Sequence, residues 1–317
     1  MTLIKLPAVI IAGALFASTA TFAAADENAA LAGHRWIHGA DDCSLDREPA
    51  IETFRFDADT YVLRENKCVS YEAPFMFVLF GSSTVLVLDT GATKEAEIFP
   101  LYATVQGLVE KRHSGRTSPM HMLVLHTHSH GDHKAADAQF KGKPNVTLIE
   151  PNAEGLKGFL ASLRATGGLL DLGGRQLQVL RTPGHQAESI TLYDSRTKWL
   201  LTGDTIYPGI ISVLDWDEYQ SSIHALVEFA SRHEVSAIIG SHIEMSDTPG
   251  VVYERGTTYQ PREASLVLPV KVLKEVGDGL AKTAGKRQEV ITDSVVVRPI
   301  PFPVRVLIRF LKAVGVG

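Results

Sequence analysis

Between residues 122 and 133 the chain reads MLVLHTHSHGDH. A wholly apolar run, Met122 to Leu125, passes directly into alternating histidines and then an Asp-His pair. Such a run marks a strand buried on both faces. The polar residues after it therefore sit at a buried strand end, where α/β sheets carry their sites. On an extended backbone His128 and His130 share a direction. Asp132 and His133 follow at the start of an expected helix and point to a neighbouring position. Two imidazoles at one point, with a carboxylate and an imidazole beside it, suit two adjacent hard-to-borderline cations. Five of the twelve histidines fall between 121 and 133. That concentration at a buried strand end argues against a solvated surface patch.

Three later segments repeat the geometry. Val179 to His185 reads strand, turn, histidine; Leu200 to Thr205 reads strand, turn, carboxylate at Asp204; Ile238 to His242 reads strand, turn, histidine. A single ending of this kind is more often a cap or a satisfied core group. Four of them, each closing on a metal-type ligand, form a constellation.

The rest of the chain supplies a scaffold. Thr60–Cys68, Phe75–Phe80, Thr84–Leu88, Val146–Ile149, Gln176–Leu180, Ile190–Tyr193, Trp199–Leu201 and Val235–Ile239 are expected strands, rich in Val, Ile, Leu and aromatics. Glu95–Lys111 and Leu156–Leu163 carry helical spacing. Asp217–Arg232 is amphipathic, with Ile223, Leu226, Val227 and Ala230 on one face. Strand-rich halves, each followed by helices, predict two packed sheets with helices outside.

At the chain start, Lys5 precedes an uncharged stretch, Leu6 to Phe22, and the small-residue triplet Ala23-Ala24-Ala25. That is the layout of a secretory signal peptide over residues 1–25, implying a periplasmic or secreted protein. In such a compartment the only two cysteines, Cys43 and Cys68, are expected to pair. Net charge is −5 and no basic run occurs. No nucleic-acid partner is expected, because phosphate binding needs cations.

At the quoted histidines and aspartates the sequence resembles the metallo-β-lactamase-fold superfamily, with a ligand set similar to its glyoxalase II and lactonase branches. The signature H-x-H-x-D-H stands here as His128, His130, Asp132 and His133, followed in order by His185, Asp204 and His242. The LDTG segment matches the family's structural aspartate at Asp89. The resemblance covers roughly residues 50–245. It implies an α+β fold, a four-layer αββα sandwich with a dinuclear metal site at the sheet edge. It assigns His128, His130 and His185 to a first zinc, and Asp132, His133 and His242 to a second, with Asp204 bridging. Asp132 is the expected catalytic residue, orienting the nucleophile while binding metal. Two features depart from the pattern: Lys134-Ala135-Ala136 replaces the Gly-Gly that often follows the signature, and no cysteine follows Gly203. The second departure points away from antibiotic hydrolysis.

The expected function is an exported hydrolase with two Zn(2+) per chain, acting on a small ester, thioester, lactone or lactam. The alternative is an iron-dependent oxidoreductase on the same ligands. An oxidising compartment disfavours ferrous iron, and no second redox domain is visible. The expected domains are the catalytic domain, 26–260, and a C-terminal extension, 261–317. His126 reads as a packed residue more readily than as a site group. Tyr207, three residues past Asp204, reads as core packing at least as readily as a contact to an oxyanion. Trp216, Tyr253 and Tyr259 either line a cleft or cover the core. After Pro301 and Pro303 a basic and apolar helix is expected from Val304 to about Val314. Its apolar surface calls for packing on this chain, on a second copy, or on a membrane surface through 304–317.

Overall fold

A computed structural model describes residues 27–113 and 119–313. The expected signal peptide, 1–25, lies outside the described residues. The first sheet runs β1-β2-β3-β4-β5-β6. Its strands are Ile51–Arg55, Thr60–Glu65, Phe75–Phe80, Thr84–Leu88, His121–Leu125 and Val146–Leu148, numbered β1 to β6. The second sheet runs β13-β12-β10-β9-β8-β7. Its strands in chain order are β7 (Leu169–Asp171), β8 (Gln176–Arg181), β9 (Ile190–Asp194), β10 (Trp199–Gly203), β12 (Ala237–Gly240) and β13 (Val267–Leu268).

Alternation along β3 shows how the layers form. Phe75, Phe77 and Leu79 face Leu177, Leu192, Trp199 and Ile239 of the second sheet. Met76, Val78 and Phe80 face outward, onto Val105, Leu108 and Val109 of the helix Leu101–His113. On the far side, Leu200 and Ile238 pack beneath the helices Trp216–Arg232 and Lys271–Lys282 through Ile223, Leu226, Val272 and Val276. The result is the four-layer αββα sandwich. Each such buried side chain contributes about 1.5–3 kcal/mol. Two ion pairs are buried, each held by paired hydrogen bonds, as buried charge requires. Arg175 holds Asp194 at 2.6 Å and Arg64 grips Glu263 with both amino groups.

The helix expected over Glu95–Lys111 begins later, at Leu101. Pro100 disfavours helical backbone at the residue before it, and residues 95–99 close as a turn, with Phe99 N–H donating to the Glu95 carbonyl at 2.8 Å. A third sheet, β11-β15-β14, has no counterpart in the expectation of two. It pairs Gly209–Val213 (β11) in parallel with Val295–Pro299 (β15), which takes Val290–Ile291 (β14) along its other edge. Residues beyond 260 are therefore interwoven with what precedes them: β13 extends the second sheet and β15 completes the third. The last helix, Phe302–Ala313, leaves Phe302, Val306, Leu307 and Phe310 largely exposed. Among the described residues no helix is long and apolar enough to cross a membrane.

Five strand ends meet on one rim. β4 and β5 run parallel, and so do β10 and β12. β8 runs the same way as β10, because both are antiparallel to β9. The sheets are stitched together at this rim, by Phe75 N–H to the Ser241 carbonyl and Ile190 N–H to the Thr127 carbonyl, both 2.8 Å.

Candidate metal centre

The residues leaving those strand ends converge. β5 delivers His128, His130, Asp132 and His133; β8, through Thr182-Pro183-Gly184, delivers His185; β10 delivers Asp204; β12 delivers His242. The structure brings all seven candidate ligands together, as His128, His130 and His185 in one group and Asp132, His133, Asp204 and His242 in the other. Within each group the ligand atoms lie within 4.8 Å of one another.

Asp204 joins the groups. Its Oδ2 faces the Nε2 atoms of His128 and His185, at 3.8 and 3.6 Å. Its Oδ1 faces the Nε2 atoms of His133 and His242, each at 3.5 Å. Asp132 Oδ2 stands 3.4 Å from His242 Nε2 and 3.6 Å from His133 Nε2.

Hydrogen bonds at the far side of the rings fix which nitrogen points inward. Nδ1 of His185 donates to the Ser212 carbonyl at 2.8 Å, and Nδ1 of His242 to the Glu72 carbonyl at 3.0 Å. Nδ1 of His133 donates to Asp89 Oδ2 at 2.9 Å. With one proton spent on Nδ1, each ring in its neutral form turns a bare Nε2 inward. His130 Nδ1 lies 3.0 Å from Nε2 of both His128 and His185. Lone pairs so close repel unless a proton or cation lies between them. The buried Oδ1 of Asp204 has no hydrogen-bond partner among the described residues, which is costly for a carboxylate. A donor set of imidazoles and carboxylates with inward lone pairs and an orphaned buried oxygen fits metal cations.

Electrostatics separate the two groups. Burial, reinforced by neighbouring imidazoles, holds His128 well below the ordinary imidazole pKa and lowers His130 to about 4. Burial also lowers His185. In the second group burial opposes charge on the rings, but the carboxylates outweigh it. Asp204, Asp132 and Asp89 hold His133 well above its ordinary value, and Asp204 and Asp132 raise His242 to about 9. Although burial disfavours their charge, Asp132 and Asp204 stay far below the usual carboxylate range because the imidazoles outweigh it.

A cleft of about 670 Å³ opens over the cluster. Tyr207 and Tyr253 line it. The Tyr207 hydroxyl donates to the Ile210 carbonyl at 2.7 Å and sits 3.2 Å from Glu244 Oε2. Trp216 is core, and Tyr259 lies tilted beside His38, with ring centres 5.8 Å apart. His126 lies behind the site, 2.8 Å from Asp137. Sequence reasoning missed Lys67, after β2, and Glu244 and Arg255, both on the connection from β12 to β13, which line the cleft. Burial lowers the Lys67 amine to about 8. Their only sequence signal is charge, which is commonplace. The Ser212 and Glu72 carbonyls give no signal, being backbone.

The family described as the metallo-beta-lactamase superfamily matches residues 72–242. Acyl-coenzyme A thioesterase MBLAC2 of Homo sapiens is 26% identical over 207 residues, spanning 53% of this chain and 72% of its own. A hydroxyacylglutathione hydrolase of Rhodopseudomonas palustris (strain HaA2) is 33% identical over 85 residues, 26% of this chain and 33% of its own. Among solved structures, a metallo-beta-lactamase from Pontibacter korlensis aligns with a TM-score of 0.42 at 19% identity, over 61% of this chain and 91% of that one.

Proposed function

The chain belongs to the metallo-beta-lactamase superfamily, and from that membership we propose that it is a zinc-dependent hydrolase that cleaves an acyl thioester, working in an oxidising compartment. The observation that carries the reading is Asp204, which turns one carboxylate oxygen to each ligand group. His128, His130 and His185 would hold one cation and Asp132, His133 and His242 the other, with Asp204 between them. Zinc suits imidazole and carboxylate donors. Bound there, the cations supply positive charge for a carbonyl oxygen and lower the pKa of water.

The chain's own groups do the rest. Asp132, its side chain 22% exposed toward the cleft and held anionic, orients the attacking water by accepting its hydrogen. Water adds to the planar acyl carbon, the C–S bond breaks, and a carboxylate, a thiol and a proton leave. The thioester is favoured over an ester, lactone or lactam because the similar human and bacterial proteins are an acyl-coenzyme A thioesterase and a hydroxyacylglutathione hydrolase. Export is supported by the uncharged leader and by the Cys43–Cys68 disulfide.

The test is elemental analysis of protein purified without added metal, followed by a panel of thioesters, esters, lactones and lactams. Near two zinc per chain and preferred thioester cleavage are expected. Dominant iron, or turnover confined to another class, overturns the reading. Fractionation of the producing cells tests export.

A further inference from the structure

The cleft over the metal cluster has two linings of unlike chemistry. One is polar and comes from Lys67 and Tyr71 after β2 and from Arg255 and Thr257. The other is apolar: Ile210, Ile300, Pro301, Val304 and Ile308. All but Ile210 lie beyond the span matched by the family, 72–242. This wall is assembled by the third sheet. β11 pairs in parallel with β15, Val213 opposite Pro299, and Ile300 N–H then donates to the Val213 carbonyl at 2.9 Å. That bond sets Ile300 and Pro301 beside Ile210 and launches the last helix across the cleft. Val304 and Ile308, four residues apart, share the helix face that meets it.

Building on the thioesterase reading, we propose that the helix Phe302–Ala313 is the specificity wall of the active site, and that the substrate's acyl part is a long aliphatic chain lying on Val304 and Ile308. The cleft volume of about 670 Å³ falls within the range of roughly 300–1,000 Å³ typical of small-molecule sites. Val304 is 45% exposed, an apolar surface left open beside reacting groups. A methylene chain laid on it removes that surface from water. Each methylene fully buried strengthens binding about fourfold. A short acyl group reaches the metal cluster but not the helix and gains none of this.

The experiment uses the full metal-loaded chain. Hydrolysis of dodecanoyl and butanoyl thioesters of one thiol is compared, and binding of dodecanoate and butanoate is measured by calorimetry. The wild type is expected to favour the twelve-carbon ligand at least tenfold in both assays. Val304→Ser/Ile308→Ser is expected to erase most of that ratio, and Ile308→Phe to shift the preference toward shorter chains. Equal treatment of the two lengths by the wild type, or a ratio unchanged in both variants, overturns the proposal. A dodecanoate preference that the double variant loses, in a protein that cleaves no thioester, refutes the hydrolase reading and upholds the wall.

Discussion

Asp89 Oδ2 accepts the Nδ1 proton of His133 at 2.9 Å, with both side chains fully buried. The same carboxylate accepts Thr127 N–H at 2.7 Å and Thr127 Oγ1–H at 2.9 Å, so donors surround it on both oxygens. Asn at this position keeps the shape, and Asn tolerates the left-handed backbone found here, φ 66°. Its amide nevertheless presents a donor to a donor. The strain is relieved if His133 moves its proton to Nε2, where it blocks the inward lone pair. Asp89→Asn is expected to weaken the second metal site by roughly 10–100-fold and leave the first intact. Titration with zinc, followed by competition with a chelator, measures both sites.

Asp132→Asn should abolish turnover in a folded protein. The amide is a poorer ligand, and an uncharged group cannot hold the attacking water as an anion does. The expected kcat loss exceeds tenfold, about 1.4 kcal/mol in barrier. Retention of more than a tenth of wild-type kcat, with normal metal content, removes Asp132 from the reaction.

Metal loading should depend on pH at one site only. In metal-free protein His242 is raised to about 9 and His133 is raised as well, so both carry protons at pH 7. A cation must displace those protons, and affinity at the second site rises with pH through about 9, where His242 loses its own. His130, lowered to about 4, and His128 and His185, also lowered, are already neutral at pH 7. Affinity at the first site should stay flat between pH 7 and 8. Calorimetry in buffers of different ionisation enthalpy should detect proton release for the second equivalent and little for the first. Equal release for both sinks the assignment.

β5, β10 and β12 were legible because burial on both faces writes itself as an apolar run, and β8 because its buried Leu177 and Val179 alternate with polar residues. Phe75–Phe80 and Thr84–Leu88 have the bounds expected, since Gly81-Ser82-Ser83 interrupts them. Ile51–Arg55 escaped notice as an edge strand, half exposed. The third sheet was illegible for another reason. Gly209–Val213 and Val295–Pro299 are partners more than eighty residues apart, and nothing local to either says that they pair. The cleft wall inherits that opacity, because Ile210 and Ile300 meet only through this pairing. That the seven candidate ligands converge could be read; the Ser212 and Glu72 carbonyls that orient two of them could not.

The Cys43–Cys68 disulfide should matter for stability and for the cleft together. The closed ring of 26 residues contributes about 3.5 kcal/mol on the chain-entropy model. Lys67, which lines the cleft, is the neighbour of Cys68. Cys43→Ser/Cys68→Ser is expected to lower Tm by several degrees, on the order of 2–4 °C per kcal/mol, and to raise KM more than it lowers kcat. Differential scanning calorimetry and steady-state kinetics check the two parts.

Glycine earns its place at one end of the site and not at the other. Gly184, immediately before His185, has φ 136°, and an added Cβ would strike the backbone of Tyr219. Its carbonyl also accepts Leu214 N–H at 2.9 Å and Asp215 N–H at 2.8 Å, so the turn is pinned beneath the helix Trp216–Arg232 and has no room to yield. Gly184→Ala is expected to cost about 1–3 kcal/mol from overpacking alone and to displace His185, lowering zinc content toward one per chain. Gly131 stands between His130 and Asp132, yet a Cβ there meets nothing within 4 Å and its backbone is not left-handed. It opens a helical turn, where Ala is at least as good. Gly131→Ala should leave stability within about 0.5 kcal/mol and both metals bound. Thermal melts and zinc content for the pair decide the point: loss at 131 with tolerance at 184 would mean that the close approach of Tyr219 does not position His185.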